Sequence, residues 1–136
     1  MLIGICDDEV IFREGLRKLC ERCVSNISLI EIVCFSSGNQ VLSYEHKVDV
    51  LFLDIHMKGI DGIQTAKKIR EKDEDMIIIF LTGYKDYMSD GYYVKAFRYL
   101  IKPIEEKELT EVMADVMKEL KKDENSGCGF IFHNRF

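Results

Sequence analysis

No stretch of this sequence stays apolar for the roughly 20 residues that a bilayer crossing needs, so no membrane span is expected. Positive charge is also short. Nineteen Lys and Arg against 24 Asp and Glu leave a net charge of −5, the wrong sign for gripping nucleic-acid phosphates with this chain alone. The start, Met1-Leu2-Ile3-Gly4, lacks the basic stretch and cleavage site of a secretory leader. The five cysteines are an odd number, which does not suit a disulfide framework. Together these absences point to a cytoplasmic protein with reduced thiols. Cys20 and Cys23 form a C-x-x-C pair, but inside a helical pattern rather than at a strand-to-helix turn, which argues against redox or metal chemistry there. There is no internal repeat and no low-complexity tract.

What is present is a regular alternation. Leu2–Cys6 reads as a short buried strand, followed at once by Asp7-Asp8-Glu9. Phe12, Leu16, Leu19, Cys20 and Cys23 then recur at helical spacing. Leu29–Cys34 is a second strand, and a short helix over about 39–44 follows, with Ser36 or Ser37 as its cap. Val50-Leu51-Phe52-Leu53 does not alternate in polarity, so it reads as a strand covered on both faces, and it stops on Asp54. Ile63, Ala66, Ile69 and Arg70 mark the inner side of a third helix. Met76–Leu81 is a fourth strand, ending at Thr82-Gly83. A tyrosine-rich fourth helix is expected over about 85–92, and a fifth strand over 97–101, closed by Lys102-Pro103. Leu109, Val112, Met113, Val116, Met117 and Leu120 then outline a strongly amphipathic last helix. The order βαβαβαβαβα predicts a flavodoxin-like, doubly wound α/β domain. Its five parallel strands should lie in the order 2-1-3-4-5, with helices on both faces. Residues 1–122 fit that scheme. Residues 123–136 read as a linker or the start of a further domain.

In such a sheet the strand ends converge, and ligand sites form at the carboxyl edge. Strand one delivers Asp7 and Asp8, strand three Asp54, strand four Thr82, and strand five Lys102. Three crowded carboxylates raise one another's pKa, and a hard divalent cation such as Mg²⁺ relieves them. A lysine can pair with Asp54 or with an anion beside it, and a threonine hydroxyl can donate to that anion. The set suits a phosphoryl group in transfer, with Asp54 as carboxylate nucleophile and Thr82 and Lys102 in catalytic support. Taken singly, Asp7, Asp8 and Thr82 could instead be helix caps, and Lys102 a surface residue.

The motifs CDDE, LFLDIHM, GIDG, FLTG and YLIKP, in that order and spacing, resemble those of response-regulator receiver domains, the phosphoacceptor half of two-component signalling. The resemblance covers about residues 1–122. It implies a sensor histidine kinase as phosphodonor, Mg²⁺ as cofactor, and transient phosphorylation of Asp54. It also implies that Asp8 contacts the metal directly, Asp7 through water, and His56 through its backbone carbonyl. Residues 80–103 resemble the LytTR class, whose regulators carry a DNA-binding domain after the receiver. The implied protein is a transcription regulator whose DNA-contacting part lies outside this chain. One departure is Lys58, where the family often has proline.

Phosphorylation adds negative charge and acceptor oxygens at Asp54, and Thr82 and Lys102 can follow them. The family resemblance carries a switch role to Thr82 and to Tyr99, the latter otherwise an ordinary half-buried strand tyrosine. The face formed by the fourth helix, the fifth strand and the last helix is then expected to form a homodimer on phosphorylation. His56 and Tyr84, each two residues beyond a reacting group, are expected to tune the lifetime of the acyl phosphate. The alternative is a receiver-like interaction module that is never phosphorylated. A dehalogenase-type phosphohydrolase would need an acid at position 56. A flavin binder would need a Ser-, Thr- and Gly-rich loop where this chain has Asp7-Asp8-Glu9.

Overall fold

The computed structural model describes residues 1–24, 29–83 and 94–126. Its elements in chain order are β1 (Leu2–Cys6), α1 (Val10–Cys23), β2 (Glu31–Phe35), α2 (Gly38–Ser43), β3 (Val50–Asp54), α3 (Gly62–Arg70), β4 (Ile77–Thr82), β5 (Arg98–Ile101) and α4 (Glu106–Ser126). The five strands form one sheet in the order β2-β1-β3-β4-β5, and every pairing is parallel. The expected topology is therefore the observed one. The tyrosine-rich fourth helix, with Tyr84, lies outside the described residues.

The sheet is apolar on both sides because a strand alternates its side chains between faces. Ile3, Ile5, Val50, Phe52, Ile77, Ile79 and Leu81 meet Leu16 and Cys20 of α1 and Leu109, Val112, Met113 and Val116 of α4. Cys6, Leu51, Leu53, Ile78 and Phe80 point the other way, toward Val41 of α2 and Ile63, Ala66 and Ile69 of α3. Both central strands, β3 and β4, are buried along their whole length. That is why neither alternates in polarity. Arg70 is half-buried on the inner side of α3, as its spacing implied. It donates from Nε to the Val94 carbonyl at 2.6 Å and from Nη2 to that of Lys95 at 3.1 Å.

The Ser37 cap of α2 was expected from the sequence, and the Asp61 cap of α3 was not. Ser37 caps α2, accepting from the Gln40 amide at 3.2 Å. Asp61 caps α3 through a reciprocal box with Gln64: Asp61 accepts from the Gln64 amide at 2.8 Å, and the Gln64 side chain accepts from the Asp61 amide at 2.9 Å. Strand boundaries moved slightly. β2 starts at Glu31 rather than Leu29, because Leu29 takes a positive φ of 62° and is exposed. β5 starts at Arg98, one residue later than expected. The last helix continues to Ser126, a length of about 31 Å at 1.5 Å per residue.

One glycine is required for the architecture of the edge. Gly62 opens α3 directly against the end of β3, and a β-carbon there would collide with the Asp54 carbonyl oxygen and the Ile55 backbone. The Gly62 amide donates to the Ile55 carbonyl at 2.8 Å, so the loop over residues 55–61 closes tightly beyond Asp54.

Candidate functional site

The carboxyl edge gathers the residues the sequence singled out. Asp7 follows β1 by one residue, and its amide donates to the Phe35 carbonyl of β2 at 3.1 Å. Asp54 is the last residue of β3 and pairs in register with Leu81 of β4. Thr82 therefore lies one step further out on the neighbouring strand. Thr82 pairs with Ile101 of β5, which places Lys102 one step beyond that strand's end. The Lys102 amide donates to the Thr82 carbonyl at 2.8 Å, fixing the backbone from which the lysine reaches inward.

Carboxylate oxygens of Asp7, Asp8 and Asp54 lie within 4.8 Å of one another. Asp7 and Asp54 are buried and Asp8 is half-buried. Lys102 Nζ donates to Asp7 Oδ2 at 2.8 Å and lies 3.2 Å from Asp54 Oδ1. The ammonium thus bridges the two buried acids. It is no surface lysine: only 19% of its side chain is exposed. Asp7 is held further by the Glu9 amide, which donates to its Oδ1 at 2.9 Å. Asp8 accepts from the Lys58 amide at 3.0 Å. Neither acid caps α1 in the ordinary way, since Glu9 occupies the cap position with no side-chain bond.

One lysine does not balance three acids, and the electrostatics record the surplus. Burial, and then the neighbouring Asp7 charge, push the Asp54 carboxyl from 3.8 up to about 6, against the pull of Lys102. Burial alone would lower the Lys102 pKa, but the Asp7 hydrogen bond and the charges of Asp54 and Asp7 outweigh it and raise it. Cys6 lies beneath the acids, and burial with the Asp7 and Asp54 charges drives its thiol up to about 12. It is therefore an inert core residue. The donor set at the site is all oxygen and carries excess negative charge, which fits a hard divalent cation and suits Mg²⁺ better than a thiolate- or imidazole-seeking metal.

Residues 3–114 match the response regulator receiver domain family. The chain belongs to that family. Among curated relatives, it is similar to the sensory transduction protein LytT of Oceanobacillus iheyensis, 38% identical over 122 residues that cover 87% of this chain and 48% of LytT. The chain thus spans about half the length of that relative, and the likeness agrees with the LytTR-type resemblance of the sequence. Among solved structures, it resembles the receiver domain of AraT, a response regulator from Geobacillus stearothermophilus. That match has 32% identity and a TM-score of 0.79 over 91% of this chain and 98% of that one. It also resembles the Thermotoga maritima response regulator TrrA, solved in complex with Mg²⁺ and BeF. Here the identity is 32% and the TM-score 0.68, over 85% of this chain and 97% of that one. The acid cluster of this receiver is of the type that takes Mg²⁺ in the family. A receiver domain in turn implies a cognate histidine kinase. Among the described residues, no helix is long and apolar enough to cross a membrane.

The other expected residues are placed as follows. His56 is exposed, two residues beyond β3. Tyr99 is half-buried on β5, its ring 5.4 Å from that of Phe80 and tilted by 31°. Tyr84 lies outside the described residues.

Sequence reading missed four supporting contacts. The Phe12 ring sits 4.0 Å from Lys102 Nζ and gives the ammonium an aromatic face. Arg13 Nη1 donates to the Asp7 carbonyl at 2.7 Å. The Lys58 amide reaches Asp8, and Cys6 Sγ donates to Met57 Sδ at 3.5 Å. Phe12 and Arg13 stand in the first turn of a helix that starts right after the acids, and that adjacency is the one signal pointing to them. The amide and thiol contacts leave no trace in residue type.

Proposed function

We propose that this receiver accepts a phosphoryl group on Asp54 from a sensor histidine kinase, with Mg²⁺ as cofactor, and so switches an interaction surface that governs an output domain outside this chain. The observation that carries the reading is the bridging of Asp7 and Asp54 by Lys102 within a cluster of three carboxylates. At neutral pH most Asp54 is ionised, as a nucleophile must be, despite the upward push on its pKa. The bond from phosphorus to the donor's leaving atom breaks as an Asp54 carboxylate oxygen bonds to phosphorus. The electron pair leaves with the donor, and Asp54 becomes an acyl phosphate. Lys102 moves its hydrogen bonds to the new phosphoryl oxygens, and the Thr82 hydroxyl donates to another. Asp8, Asp54 and the His56 main-chain carbonyl would hold Mg²⁺ directly and Asp7 through water, and the bound cation would supply charge neutralisation for the transferring group. The chain thereby catalyses its own phosphorylation and slow dephosphorylation. His56 and Tyr84 tune how long the acyl phosphate lasts.

The new charge draws Thr82 and Lys102 toward the phosphoryl group, and Tyr99 changes its packing in response. The face containing β5, α4 and the segment before β5 then favours a homodimer. The matched residues make up 48% of LytT, and the output domain proposed is a DNA-binding domain following residues 123–136. DNA contact belongs to that domain, and the protein acts in the cytoplasm. The test is intact mass after incubation with Mg²⁺ and acetyl phosphate. One phosphoryl group should be gained by the wild type, and none without Mg²⁺ or by Asp54→Asn. A folded, Mg²⁺-binding protein that stays unmodified with both acetyl phosphate and a kinase donor would instead be an unphosphorylated interaction module.

A further inference from the structure

The three acids are not held alike. Asp7 and Asp54 are buried and share the Lys102 ammonium. Asp8 is half-buried and takes its hydrogen bond from a main-chain amide, that of Lys58, at its Oδ2. That amide belongs to the loop after β3, which is itself anchored at both ends. The Gly62 amide donates to the Ile55 carbonyl, and the Asp61–Gln64 box locks the start of α3. Midway, the Cys6 thiol donates to the Met57 sulfur, tying the loop to the end of β1 one residue before Lys58. An amide fixed this way loses little further freedom when it binds a carboxylate, and such a charge-assisted bond is stronger than a neutral one. It engages one Asp8 oxygen and leaves the other available to a cation.

We infer that the Lys58 main-chain amide is a positioning group that holds Asp8 toward the cation site. The inference rests on the acid cluster being the Mg²⁺ site proposed above. It also assigns opposite effects to the two parts of residue 58. The amide orients a ligand and strengthens metal binding. The exposed ammonium of the same residue carries charge of the cation's own sign and weakens binding slightly. Proline carries no N–H, so a receiver with proline at this place cannot make the bond.

The experiment is Mg²⁺ titration, followed by calorimetry and by amide resonances, of wild type, Lys58→Ala and Lys58→Pro. Lys58→Ala keeps the amide and loses the charge, so it should bind Mg²⁺ about as tightly as wild type or up to roughly two-fold tighter. Lys58→Pro loses both and should bind roughly five-fold more weakly than Lys58→Ala, the worth of one hydrogen bond. Equal affinity of the two variants would overturn the inference. Hydrogen exchange of the Lys58 amide decides the matter independently if the proline variant does not fold. Exchange should be slowed in wild type and accelerated several-fold in Asp8→Ala, and an unchanged rate would also overturn it. A wild type that binds no Mg²⁺ but shows a protected Lys58 amide would overturn the cation site itself while leaving the bond in place.

Discussion

Leu53 and Asp54 are consecutive residues of β3, and both are buried, yet they lie in regions governed by opposite forces. Behind Leu53 the sheet interior is apolar on both faces, and every buried methylene favours folding. From Asp54 outward, burial sets like charges side by side and raises a carboxyl pKa to about 6. The interior stabilises the fold, and the edge stores unfavourable charge that a cation or a phosphoryl transfer can exploit. The sheet can hold that edge because its centre is well buried. This is the sense in which β3 and β4 serve the site: they are the rigid base for groups that would otherwise move apart.

The contrast is broken most strongly from the interior. Phe52→Ala removes a fully buried ring between α1 and α4 and should cost about 3–5 kcal/mol in chemical denaturation. The midpoint should drop sharply, with Mg²⁺ affinity lost only where the protein unfolds.

A change at the edge should have the opposite sign. Asp54→Asn should stabilise the metal-free protein at pH 7, by up to about 3 kcal/mol. The Asp54 pKa is higher folded, at about 6, than its ordinary 3.8. Its contribution to stability is therefore fully present below the ordinary value and is lost as pH rises through about 6. The advantage of the Asn variant should grow from pH 4 to pH 6 and level off above. Urea unfolding in a chelator across that range reads the gap. Adding Mg²⁺ should narrow it by stabilising the wild type. A gap that is flat with pH would mean the carboxylate is not strained.

A smaller change sharpens the boundary between the regions. Asp61→Ala removes the α3 cap that anchors the far end of the loop after β3, and should cost about 1 kcal/mol. If the loop serves the edge, Mg²⁺ affinity should fall along with the melting temperature. If affinity is unchanged, the loop depends on its other anchors.

Much of this was legible in the chain itself. The alternating elements, their parallel order, the Ser37 cap and the delivery of Asp7, Asp8, Asp54, Thr82 and Lys102 to one edge all follow from patterns local to each element. Periodicity, capping and right-handed crossover act over a few residues or through one rule of topology, so residue types record them. Other features depended on distance in space. Lys102 meets Asp7 across 95 positions of sequence, Phe12 lies under the same ammonium, and a main-chain amide at Lys58 reaches Asp8. Whether Asp54 would be a strained acid or a well-paired one depended on burial and on a single lysine shared between two carboxylates. Coulomb energies and desolvation vary with separations of an ångström or two, and main-chain donors are the same at every residue but proline. The sequence determined which groups arrive at the edge; the tertiary structure alone decided how they share their charge.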